Sequence, residues 1–265
     1  MFFRLSDWEL ALLLFAVIVG ATVLGLVAGR YLRGHKETLR ESFGVLQAAL
    51  LGLVGLILAF GLSLAVGRYE QRRAAVVQEA NAVGTSYLRA ETLAEPVRSR
   101  SLALLRPYTD TSIHLSKTIP GSAAAHATIA TSASLQRRLW QLAGQALDDA
   151  PVASAPRLYA DSLNTTFDSQ NARVAALNNR VPGAVLGLEV IGASVALGLL
   201  ALYLAMLGRG VVTVLLAAAL ITLLLLVTFD LDRPTRGLIR IPTGPLVAAR
   251  AAMSLPPAAT GPAQP

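Results

Sequence analysis

The sequence contains no cysteine. Disulfide staples, thiolate metal sites and thiol nucleophiles are therefore excluded. Histidine is scarce: His35, His114 and His126 lie far apart, and none has a histidine three or four residues away to share a helix face, so a histidine-based metal centre is not expected. Charged residues make up only 15% of the chain and aromatics 6%, and no strand-like alternation is present. Neither a G-x-S-x-G elbow nor a P-loop occurs. Asp148 and Asp149 are adjacent and so point to different sides of a helix, which rules them out as paired catalytic carboxylates. No catalytic residue, metal or cofactor is expected, and the chain does not read as an enzyme. The formal charge of +7 raises the possibility of nucleic acid, but acidic residues are mixed among the basic ones and no basic stripe carries interleaved aromatics. Nucleic acid is not an expected partner.

What the chain has in abundance is apolar sequence, 54% of its 265 residues. Four windows approach or exceed the roughly 20 apolar residues that a membrane-crossing helix requires. They divide the chain into a first transmembrane pair at 1–67 (spans about 10–29 and 43–67), a polar segment at 68–180, a second pair at 181–229 (spans about 183–207 and 210–229) and a tail at 230–265. The first window is too long for a signal peptide, and its front sets Arg4 against Asp7 and Glu9, so it is expected to persist as a helix. Leu207-Gly208-Arg209-Gly210 is short enough only for a tight helical hairpin.

The polar segment reads as helical. Residues 68–94 place Val76, Ala80, Val83 and Tyr87 at three- and four-residue spacing, and Pro96 opens a second helix to about 115. Residues 116–132 are predicted to be a low-complexity loop, followed by a helix bearing Leu135, Leu139, Leu142 and Ala146 and another from about 156 to 180. The tail is expected to be disordered from Pro256. The fold class is thus an all-α membrane protein. Its helical segment has few large apolar residues, so it is expected to complete its core against further copies of the chain, making a homo-oligomer in membrane lipid.

The second span carries two neighbouring rows. Gly55, Ala59, Ser63 and Gly67 recur every fourth residue and form one helix-packing row of small side chains. Leu56, Phe60, Leu64 and Arg68 form the row beside it. One reading packs the small row within a subunit and turns the bulky row to lipid. The other packs copies through the small row around an axis, which the bulky row then faces as a hydrophobic pore neck, closed by Arg68 at the pore mouth.

Residues 58–93 (LAFGLSLAVGRYEQRRAAVVQEANAVGTSYLRAETL), 163–182 (LNTTFDSQNARVAALNNRVP) and 230–246 (DLDRPTRGLIRIPTGPL) resemble the bestrophin-like family, once described only as a domain of unknown function and distantly related to the bestrophin channels. The resemblance covers most of the chain and keeps the order of the four spans. It implies a bestrophin-like, pentameric ion channel of a bacterial plasma (inner) membrane, with the second span lining a narrow hydrophobic neck and 68–180 extending the pore in the cytoplasm. In this sequence the similar elements are Phe60, Arg68 and Tyr69, with Leu56 and Phe60 as neck residues. The third family neck position falls on Gly52, so the neck is either shorter here or uses Leu64. Ala80, Asn81 and Gly84 are expected to keep the vestibule wall small or polar. The calcium clasp of animal bestrophins needs a larger acidic cluster than Asp230 and Asp232, which are expected to cap or to pair with Arg233.

Glu189 is the only charged residue within a span and marks a possible intramembrane polar site. Arg4, Arg68, Arg72, Arg73, Arg173, Arg180, Arg233, Arg236 and Arg240 outnumber Arg30, Arg33, Lys36, Arg40 and Arg209 on the opposite side, which favours a cytoplasmic 68–180 segment. Permeating inorganic ions are the expected ligands, with chloride or another anion favoured by Arg68. The alternatives are a membrane-anchored scaffold or sensor acting through 68–180, and a small transporter. The transporter would need inverted similarity between the two span pairs, which is not evident.

Overall fold

The computed structural model describes residues 7–32, 37–208 and 210–257. Arg4, Arg33, His35, Lys36 and Arg209 lie outside these, as do the side chain of Arg40 and the part of the predicted disordered tail beyond Pro257. Among the described residues the regular structure is helical throughout: α1 Asp7–Tyr31, α2 Glu37–Glu91, α3 Val97–Leu115, α4 Ala123–Asp149, α5 Ser154–Asn178, α6 Gly183–Met206, α7 Val211–Leu231 and α8 Gly244–Ala252. They fall into two compact units, Met1–Tyr69 with Arg180–Arg240, and Glu70–Asn179 with Ile241–Pro265.

The first unit contains α1, the first part of α2, α6 and α7. Each holds a stretch long and apolar enough to cross a membrane. A helix satisfies its backbone hydrogen bonds internally, as lipid demands, and the protein is an integral membrane protein. Leu14 and Ile18 of α1, Leu58 of α2, Leu186 and Leu197 of α6, and Leu225 and Phe229 of α7 share one core. The tightest crossing is glycine-made. A Cβ at Gly25 would run into the carbonyl oxygen of Gly198, and one at Gly29 into that of Leu202, so α1 and α6 touch backbone to backbone. α6 and α7 are joined through Gly208 and Gly210, both with left-handed backbone (φ 73° and 90°), which a side chain would strain.

The second unit contains Glu70–Glu91 of α2 with α3, α4, α5 and α8. Its core gathers Val83, Tyr87 and Leu93 with Leu105, Tyr108, Leu139, Tyr159 and Leu163. One expectation is corrected here. The loop expected at 116–132 is confined to 116–122: α4 begins at Ala123, where the Ser122 hydroxyl accepts the Ala125 amide at 3.2 Å, and alanine-rich sequence continues the helix with Ala125, Thr128 and Ser132 buried. Ahead of Pro256, from which disorder is expected, the tail forms α8, which starts with proline in its first turn and buries Leu246, while Met253 just after it is also buried. The Met253 carbonyl accepts from the Tyr87 hydroxyl at 2.8 Å and from Arg106 at 2.9 Å.

Candidate functional site

In the first unit, α2 uses one narrow face against its own chain. Val54, Leu58, Gly61 and Ala65 are buried, at spacings of four, three and four residues. A helix turns by about 100° per residue, so the rows starting at 55 and 56 leave this contact face on other sides of the cylinder. Gly55, Ala59, Ser63 and Gly67 are all exposed, and a Cβ at Gly55 or Gly67 would meet nothing within 4 Å. Leu56, Phe60 and Leu64 are 54%, 63% and 45% exposed, and Arg68 is half-buried. Both rows therefore stand side by side, uncovered by the chain that carries them. Gly52 is exposed too and supplies no side chain to either.

Behind Phe60, on the contact face, stands Glu189 of α6. It is fully buried, and neither carboxylate oxygen has a hydrogen-bond partner among the described residues. Gly61 makes its seat: a Cβ on Gly61 would overlap Oε1 of Glu189. The sequence marked Glu189 as an isolated charge in a span. The glycine that accommodates it comes from a distant helix, and sequence reading did not pair them.

In the second unit, α2 turns a different set of residues inwards. Arg72, Val76, Glu79, Ala80, Val83, Ser86, Tyr87 and Ala90 are buried along one stripe. Ala80 packs with Val76 and Leu246, so it belongs to a core and not to a vestibule wall, which corrects the expectation. Asn81 is exposed, Gly84 half-buried. Asn81 lines an open groove of about 700 Å³ together with Arg73, Val77, Thr85, Arg89 and Asp161, and Arg89 meets Asp161 at 3.3 Å.

In this unit the sequence marks Arg72 and Arg173 only as charges that orient the chain, and Glu79 not at all; the structure gives all three buried partners. Arg173 of α5 donates to Glu79 at 2.5 Å and to the Ser112 carbonyl at 3.0 Å, and the Ser112 hydroxyl donates to the other Glu79 oxygen at 2.6 Å. Arg72 donates to the carbonyls of Ala176 (3.2 Å) and Asn179 (2.7 Å), placing positive charge on the carboxyl end of α5, where the helix dipole favours it. The available signal was register: Arg72 and Glu79 fall in line with Val76 and Val83.

In the last turn of α7, Asp230 accepts the amides of Leu238 and Ile239, each at 2.8 Å, and just after it Asp232 accepts the Val181 amide at 3.1 Å. A Cβ on Gly237 would come within 2.6 Å of the Asp230 carboxylate, so glycine lets the turn close over it. These carboxylates act as backbone caps. No group of three or more metal-ligating side chains is found among the described residues.

A family model described as a bestrophin-like domain matches residues 11–246. Among solved structures, the fold is similar to a bacterial bestrophin homolog from Klebsiella pneumoniae solved by Zn-SAD phasing, with a TM-score of 0.63, 15% identity, and coverage of 91% of this chain and 95% of that one. A point variant of the Klebsiella pneumoniae homolog is similar at a TM-score of 0.65 and 14% identity, covering 89% of this chain and 97% of that one. No curated protein matches the chain.

Proposed function

Because the chain belongs to the bestrophin-like family, we propose that it is a pentameric ion channel whose second membrane helix lines the pore at a hydrophobic neck of Leu56, Phe60 and Leu64. The observation that carries this reading is the pair of adjacent rows on α2. The chain turns its Val54–Leu58–Gly61–Ala65 face to its own core and leaves both a small-residue row and a bulky row uncovered. A small-residue row gains van der Waals contact from a second helix in lipid, and copies joined through Gly55, Ala59, Ser63 and Gly67 bring Phe60 from each subunit towards a common axis. A ring of such side chains narrows and dries a pore, and gating follows from how far it is held from the axis.

Arg68 follows the neck along the same row and contributes a ring of positive charge at the pore mouth, favouring anions such as chloride. α2 is unbroken from Glu37 to Glu91, which suits a pore wall that continues into the 68–180 segment on the cytoplasmic side of a bacterial inner membrane, with Asn81 exposed on it. The proposed organisation is a transmembrane pair at 1–67, the helical segment at 68–180, a second pair at 181–229 and a tail at 230–265. A second reading, a membrane-anchored scaffold, draws support from the open groove lined by Arg73, Asn81 and Asp161.

The test is single-channel recording of purified full-length protein in planar bilayers, wild type against Phe60→Ala and Leu56→Ala. Conductance that rises, or closures that disappear, in the variants supports the neck, and reversal potentials in asymmetric chloride give the sign of the permeating ion. Silence from folded, oligomeric protein in every variant overturns the channel and turns attention to ligands of the groove.

A further inference from the structure

We infer that the carboxyl group of Glu189, seated against Gly61 of α2, is a proton-binding site whose occupancy sets how closely the neck helix packs on α6. This rests on the channel reading for its functional consequence, and on geometry for the site itself.

The geometry has three parts. Glu189 is fully buried within a membrane-crossing helix, and both its oxygens lack hydrogen-bond partners among the described residues. The space it occupies exists because residue 61 has no side chain; a Cβ there would overlap the carboxylate. The facing helices offer no compensating charge. α1 is uncharged from Leu10 to Gly29, α2 from Ser42 to Gly67, and α7 from Val211 to Phe229. The titratable groups that flank these stretches are Asp7, Glu9, Arg30 and Tyr31 on α1, Arg40, Glu41, Arg68 and Tyr69 on α2, Asp230 in the last turn of α7 with Asp232 and Arg233 just beyond it, and Arg180 before α6 with Tyr203 on α6 itself. Tyr203 lies beside Gly44, at the far end of the α2–α6 contact from Gly61, and Asp232 reaches the Val181 amide before α6 begins.

A neutral carboxyl tolerates an apolar seat, whereas an ionised one without donors must gain water or polar partners. Gly61 is in direct contact, so admitting them requires α2 to draw back from α6. Phe60 is the preceding residue on the same helix and moves with it. Binding a proton seats α2; losing it unseats α2 and displaces the neck side chain. Glu189 is thus a positioning residue that acts through α2, without touching the permeating ion.

Two readouts on full-length protein in liposomes test this, with Glu189→Gln as the isosteric neutral variant and Glu189→Asp as the conservative titratable one. The first is the infrared difference spectrum between about pH 5 and about pH 9, a range wide enough to cover displaced carboxyl titrations. A carboxylic C=O band present in wild type, moved in Glu189→Asp and absent in Glu189→Gln is the expected result; identical difference spectra in wild type and Glu189→Gln overturn the site. The second is ion conductance over the same range. Wild type is expected to change on the order of tenfold, as a change of neck dimensions at a hydrophobic constriction would produce. Glu189→Gln holds the acid-side level throughout, and Glu189→Asp restores a pH response. A full wild-type pH response in Glu189→Gln overturns the coupling. If wild type conducts nothing at any pH, the channel reading fails, and the infrared band alone decides the proton site.

Discussion

Arg173 and Glu79 form a charge pair that solvent does not reach, with side chains 1% and 0% exposed. Their mutual attraction and the Ser112 bonds offset the cost of burying both charges, so removing one partner strands the other. Arg173→Met is expected to destabilise the protein by about 3–5 kcal/mol, and Glu79→Leu with Arg173→Leu to recover much of the loss. Denaturation midpoints of the purified variants check this, and an unchanged midpoint for Arg173→Met contradicts it. Tyr159 gives a pH prediction. Burial pushes its phenol up from 10.0 to about 12, and burial raises Tyr108 as well. The folded-state value lies above the unfolded one, so the stabilisation is complete below about pH 10 and is lost as pH rises through about 12. Ultraviolet titration is expected to show a late-ionising fraction that shrinks in Tyr159→Phe, and ionisation of every tyrosine near the ordinary value would refute it. These residues were only half legible. That Glu79 lies in register with Val76 and Val83 can be read along the chain, but its partner is 94 positions away, and sequence separation carries no distance.

Among the helices, α1 and α6 show what a glycine can be for. Gly25→Leu is expected to cost about 1–3 kcal/mol, because its Cβ enters the Gly198 carbonyl and the two helices must part. Gly20→Leu is the control, since a Cβ at Gly20 meets nothing within 4 Å. Thermal midpoints in detergent should separate the two variants; equal midpoints would argue against the close crossing. Gly25 and Gly29 stand four residues apart, the same spacing as the row on α2, yet the chain uses only the first row internally. α4 and α8 teach the complementary lesson. Low complexity at 116–132 reads as loop when large apolar residues are the cue, but alanine and threonine suffice for a helix once Ser122 caps its start. α8 is short and is held by Leu246, Met253, Tyr87 and Arg106, partners that no local pattern reveals.

For the whole molecule, the proposed assembly makes the small row of α2 an intersubunit contact. Ser63→Leu with Gly67→Leu is expected to lower the particle mass of the detergent-solubilised protein from oligomer towards single chain, by mass photometry, while each chain keeps its helical content. An unchanged mass would remove the row from the interface. The all-α class and the four membrane helices were determined by the sequence alone, because hydropathy and helical period are local properties that each segment carries wherever it sits. The resemblance of residues 58–93, 163–182 and 230–246 to the bestrophin-like family was likewise visible in residue order. Only the tertiary structure decided which side of α2 the chain keeps for itself. The Val54–Leu58–Gly61–Ala65 face and the Gly55–Ala59–Ser63–Gly67 row both consist of apolar or small residues at helical spacing, one or two positions apart, and nothing in their composition ranks them. The choice belongs to α6, whose Glu189 requires the one opposing position, Gly61, that has no side chain to refuse it.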